Sequence, residues 1–201
     1  MGTSRSSQSR SILPLLLIAV LFVLFWYKSD SNTPEPITVK MSDSVDVISK
    51  LQVAVRQVST SPPKLVLAVK NTHSGPVTVL SWNSPLDPLA VQLGLLSFTP
   101  AGSDEPVEIP TIQIRRKMPP GPDSLITMEA GQTKEQELEL KGPIVPLDKL
   151  RGKVSVVCSG EWMGVWPSEA DAITKVSLEQ AGASEDTFRG SFQSEAVEIE
   201  I

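Results

Sequence analysis

Residues 51–58 read LQVAVRQV and residues 65–69 read LVLAV, and these two stretches decide the fold. Leu51, Val53 and Val55 fall on one side of an extended chain, with Gln52, Ala54 and Arg56 on the other. Such alternation marks a strand with one buried face, because successive side chains of a strand point to opposite sides. Leu65, Leu67 and Val69 repeat the pattern. The polar turn Asn71-Thr-His-Ser-Gly-Pro76 follows, and Val77 to Trp82 resumes the apolar run. Residues 64–82 are therefore expected to form a hairpin with a long loop.

Outward from this pair the same grammar continues. Strands are expected near 37–41, 92–99, 107–114, 124–128, 133–140, 153–159, 173–179 and 195–201. Seventeen prolines and twelve glycines punctuate them, and no stretch after residue 30 sustains a helical period over three turns. Many short alternating strands with Gly/Pro turns predict an all-β, antiparallel, immunoglobulin-like sandwich over residues 37–201. A barrel is the alternative, since alternation does not say whether a sheet closes.

Upstream, residues 12–27 read ILPLLLIAVLFVLFWY, sixteen residues without a charge. As a helix this run is about 24 Å long, short for an average bilayer and nearer to a thin one. Pro14 falls in its first turn, where a missing N–H costs little, and Trp26 and Tyr27 would sit at an interface. Bulky Phe25-Trp26-Tyr27 and Ser29-Asp30-Ser31 make a poor small-x-small cleavage site. The expected organisation is a tail (1–11), an uncleaved single-pass transmembrane signal anchor (12–27), a polar linker (28–36) and the sandwich domain (37–201). A cleaved signal peptide, and hence a secreted protein, is the alternative. Arg5 and Arg10 before the span bias the N-terminus inward, so the domain is expected in the lumen or outside the cell.

The composition excludes several chemistries. One His and one Cys leave no internal disulfide, no zinc site built from several Cys or His, and no two-histidine metalloprotease motif. A net charge of −5 gives no electrostatic footprint for nucleic acid. No cofactor is expected, and no catalytic constellation stands out.

Asn71-Thr72-His73-Ser74-Gly75, Val77 to Leu80 and Ser84-Pro85-Leu86-Asp87 together resemble the prodomain of fungal deuterolysin-like metalloendopeptidases. Ala130-Gly131, Lys134 to Leu140 and Arg151-Gly152 through Val157 continue the resemblance in the same order, over about residues 50–165. What it implies is a fungal, prodomain-like module. The family's protease portion and its His-Glu-x-x-His zinc motif have no counterpart in this chain.

Five residues are candidates for an interaction surface. Arg115-Arg116-Lys117, followed by Met-Pro-Pro-Gly-Pro122, reads as an exposed basic loop. It is solvated, bound to acidic headgroups, or open to a processing protease. Trp162 and Trp166, four apart after a strand, either stack on a carbohydrate or cap the end of the sandwich. His73 reads as a turn residue, with Ser74, Ser81 and Asp87 as nominal partners. Cys158 reads as a buried structural thiol. The expected function is thus a non-catalytic, membrane-anchored binding module. Its partners are the lipid bilayer, through residues 12–27, and an unidentified protein. A regulator, inhibitor or folding helper of a secreted protease is the alternative.

Overall fold

In the computed structural model, which describes residues 47–180 and 184–201, the alternation at residues 51–69 becomes two long paired strands. The chain divides into Met1–Thr38 and Val39–Ile201, and every described residue belongs to the second unit. The expected anchor at 12–27, linker at 28–36 and strand at 37–41 lie outside the described residues. Among the described residues no helix is long and apolar enough to cross a membrane.

Among the described residues nine strands form two antiparallel sheets. The first sheet holds β1 (Leu51–Thr60), β2 (Pro63–Asn71) and β6 (Thr133–Glu139) in the order β1-β2-β6. The second is organised around β7 (Lys153–Trp166), the longest strand. β4 (Leu96–Pro100) and β3 (Val77–Leu80) pair along one side of β7, with β5 (Leu125–Met128) beyond β3. β8 (Phe188–Gln193) and β9 (Val197–Glu200) pair along its other side. The inward side chains of both sheets make one core, in which Leu65, Leu67, Val69, Val77, Val79, Phe98, Val154 and Val156 are fully buried.

The architecture is the antiparallel sandwich expected, but four of its local assignments differ. Residues 64–82 are not a hairpin. β2 pairs with β1 and β6, whereas β3 pairs with β5 and β7 in the other sheet. Asn71 directs this crossing: it is wholly buried, and its Nδ2 donates to Gly75 O and Met128 O, both at 2.9 Å. A buried amide satisfied by two separate segments holds the turn between sheets and keeps β3 from folding back on β2.

Residues 107–114 are irregular, and the strand expected at 92–99 starts only at Leu96, after a turn that Gly94 ends at φ 77°. Residues 173–179 contain a short helix, α1 (Lys175–Glu179), in place of a strand. Thr174 caps it by accepting the Ser177 N–H at 3.1 Å. β8 escapes the alternation pattern because Gly190 stands between Phe188 and Phe192. A Cβ on Gly190 would lie 2.8 Å from Ile48 Cδ1, so a larger residue here requires the end of the Ile48 side chain to shift.

The two sheets also meet at one edge. Gln57 Nε2 donates to Glu200 O at 2.7 Å, and its Oε1 accepts the Glu200 N–H at 3.0 Å. One side-chain amide of β1 thus takes the place of a strand neighbour for β9 and shields part of an edge that would otherwise be open to pairing.

Candidate functional site

The basic run at 115–117 is only partly the solvated loop that its composition suggests. After β4 the chain runs through residues 101–121 as an irregular strap. Its first half is tied to the domain: the Val107 N–H donates to Phe98 O at 2.8 Å and the Ile112 N–H to Gln92 O at 2.9 Å. Thr111 packs directly on Gly94, where a Cβ would meet Thr111 Cγ2 at 2.8 Å. Beyond Ile112 the strap alternates, with Ile114 and Arg116 half-buried and Arg115 and Lys117 exposed.

Arg116 turns inward onto a carboxylate. Its Nη2 donates to Asp87 Oδ2 at 2.5 Å, and its guanidinium carbon stands 5.7 Å from the Trp82 ring centroid. The Asp87 side chain is 1% exposed against 26% for Arg116. The segment after β3 builds this position: Asn83 adopts a left-handed φ of 54°, and Ser84 Oγ donates to Ser81 O at 2.7 Å. Asp87 then accepts the Asn83 N–H at 2.9 Å and the Leu89 N–H at 3.0 Å, and its backbone carbonyl accepts Gln136 Nε2 at 2.6 Å. A buried carboxylate needs this many donors to offset the loss of water. Arg116 Nε is buried without a partner among the described residues, so the guanidinium is held on one side only.

The sequence named Asp87 only as a nominal partner for His73. His73 is otherwise engaged, with its Nδ1 accepting the Gly75 N–H at 3.2 Å and its own N–H donating to Asn71 Oδ1 at 2.8 Å. The signal for Asp87 was Ser84-Pro85-Leu86-Asp87-Pro88 itself, a turn in which a carboxylate can accept backbone N–H groups nearby.

Trp162 and Trp166 are not exposed stacking residues on a loop. Both lie in β7 and are 1% and 2% exposed. Residues four apart on a strand share a face, yet these two belong to separate cores. The register of β7 against β8 explains it: Trp162 faces Gly190 while Val165 faces Phe188, so three steps on β7 match two on β8. This bulge reverses the facing of every residue beyond it. Trp162 packs on Phe192 at a centroid distance of 4.9 Å. Trp166 instead joins Leu80, Trp82 and Ile173 on the opposite face, its Nε1 donating to Ser177 Oγ at 3.1 Å.

Beside Trp166 an open groove of about 520 Å³ is lined by Pro167, Ile173 and Phe188, with the exposed carboxylates of Glu185 and Asp186 at its rim. Asp186 Oδ1 accepts from Ser177 Oγ at 3.0 Å, the same hydroxyl that holds the Trp166 indole. The groove therefore combines apolar walls and acidic groups above a hydrogen-bonded base.

Cys158 is wholly buried in β7, and burial pushes its thiol up from 9.0 to about 12. The charged thiolate is disfavoured in the fold, so unfolding releases a proton once the pH exceeds the unfolded value. Stability is intact below pH 9 and falls as the pH rises from there through about 12. We expect the native chain at pH 8 to resist thiol alkylation that goes to completion in denaturant. Full labelling of the folded protein within minutes would show that the site is accessible.

Comparison with known proteins places this geometry. Residues 50–201 match the immunoglobulin-like domain family. An uncharacterized secreted protein of Arthroderma benhamiae is 30% identical over 143 residues, covering 70% of each chain.

Proposed function

From the premise that this chain belongs to the immunoglobulin-like domain family, we propose that it is an exported, non-catalytic interaction module. In this reading residues 12–27 direct export, and the sandwich acts in the lumen or outside the cell. The secreted form is favoured, because the fungal relative is described as a secreted protein. The sixteen uncharged residues without a small-x-small site support a second reading, in which the same segment stays as a membrane anchor.

The observation that carries the non-catalytic assignment is how the reactive side chains are engaged. The Cys158 thiol is buried and raised to about 12, His73 Nδ1 accepts a backbone N–H, and Asp87 is bound to Arg116. The groove beside Trp166 is the binding surface in this reading. It suits a partner that brings apolar surface to Ile173 and Phe188. A regulator, inhibitor or folding helper of a secreted protease is the alternative role for the same module.

Mass spectrometry of the full chain, expressed in a fungal host with a C-terminal tag, tests the export step. A mature N-terminus beyond Tyr27, with the protein in the medium, is the expected result. An intact Ile12–Tyr27 segment in the membrane fraction selects the anchor, and an intact chain in the cytosol refutes export altogether.

A further inference from the structure

We propose that the strap carries a dibasic proteolytic processing site, at Arg115-Arg116-Lys117, that the Arg116–Asp87 pair holds shut. An endoprotease takes its substrate as an extended, locally free strand of several residues. Among the described residues, no backbone N–H of residues 113–121 donates to a backbone carbonyl. Arg115, Lys117 and Met118 are exposed. No backbone ladder therefore has to be broken around Arg116, and although Ile114 is half-buried and Pro120 buried, the one ion pair in this stretch is that of the Arg116 side chain.

That tie falls at the residue on which both dibasic registers depend. Arg115-Arg116 presents Arg116 as the residue before the cut, and Arg116-Lys117 presents it as the second residue from the cut. A protease of dibasic specificity must draw both side chains into acidic pockets of its own. It therefore competes with Asp87 for the same guanidinium in either register. Single-residue specificity is not blocked in this way, because Arg115 and Lys117 both face water. Opening the latch requires Asp87 to release one half-buried side chain, a local event well short of global unfolding.

The reaction is hydrolysis: water adds across the Arg116–Lys117 peptide bond, giving a carboxylate on Arg116 and an ammonium group on Lys117. The cut would fall between β4 and β5, and the two halves interleave. β6 from the second half pairs with β2 from the first, and β7 pairs with both β3 and β4. Cleavage thus yields a nicked but folded domain with two new charged ends beside Asp87. The site does not depend on the reading of function above; export decides only which protease meets it.

The test compares initial cleavage rates by trypsin, which needs one basic residue, in the full chain and in a free peptide of residues 109–123. In the folded chain the bond after Arg116 should be slowed about tenfold to a hundredfold relative to the peptide, the range one charge-assisted hydrogen bond supplies. The bonds after Arg115 and Lys117 should be slowed far less. Asp87→Asn should remove the selective lag and admit a dibasic-specific endoprotease that spares the wild type. Equal slowing of all three bonds, no slowing of any, or an unchanged lag in Asp87→Asn would each overturn the latch. Should Asp87→Asn fail to fold, the wild-type and peptide rates decide alone. Native gel filtration should show the nicked chain as one species, and separated halves would refute the interleaved product.

Discussion

Leu67→Asp is expected to unfold the domain. Leu67 is wholly buried in β2, the central strand of the three-stranded sheet, between Val55 of β1 and Gln136 of β6. A carboxylate there loses its water and gains no cation, and an unpaired buried charge costs about 5 kcal/mol or more even after it takes up a proton. A domain of this size is stable by only about 5–15 kcal/mol, so most or all of that margin goes. Arg56→Asp is the matching control, one residue from Val55 on the opposite face. Arg56 is paired with Glu135 at 2.8 Å, with the two side chains 53% and 47% exposed. Removing that pair and adding a like charge should cost no more than about 1 kcal/mol. Urea titration by circular dichroism separates the two: no cooperative transition for Leu67→Asp, and a nearly unchanged midpoint for Arg56→Asp. Equal tolerance of both would mean that the faces of the first sheet are reversed.

The second large effect is expected at Asp87. Asp87→Ala removes the acceptor for Arg116 and for the N–H groups of Asn83 and Leu89 together. Leaving these donors unmatched in a buried turn should cost about 3–4 kcal/mol. Arg116→Ala should cost less, about 1–2 kcal/mol, because the carboxylate keeps its two backbone donors and Arg116 is partly solvated. The asymmetry is the informative part. If Arg116→Ala proves the more damaging of the two, the turn around Asp87 is not held by its carboxylate, and the strap carries more of the stability than its sparse backbone bonding implies.

The interaction surface shows how far sequence reasoning reaches here. The charge run at 115–117 and the Trp162/Trp166 pair were visible as unusual residues, but their settings were not. Inside a strap, alternate side chains face in and out, so the middle cation of three adjacent ones is bound while its neighbours are free. Which carboxylate binds it depends on a turn 29 residues earlier in the chain. A single extra residue in β7 changes which side each indole takes, and alternation within the strand does not show it. A bulge of this kind is set by pairing with β8, and β8 itself was hidden by Gly190, whose space is filled by Ile48.

Local pattern alone determined that the sandwich domain is predominantly β, which residues of β1, β2, β5, β6 and β9 are extended, and that Leu51, Val53, Val55, Leu65, Leu67 and Val69 face inward. Alternation is a property of each strand by itself, and burial of one face follows wherever two sheets pack. Tertiary structure decided which strands are neighbours. β2 leaves β3 for β6, some seventy residues further on, because the buried Asn71 amide sends the chain across to the other sheet. It also decided that residues 173–179 include a helical turn, where the Thr174 cap and the Trp166–Ser177 bond outweigh the apolar spacing. Strand partners, bulges and buried ion pairs are contacts between residues far apart in the chain. Their free energy exists only once the sheets have met, and no local reading of side chains contains it.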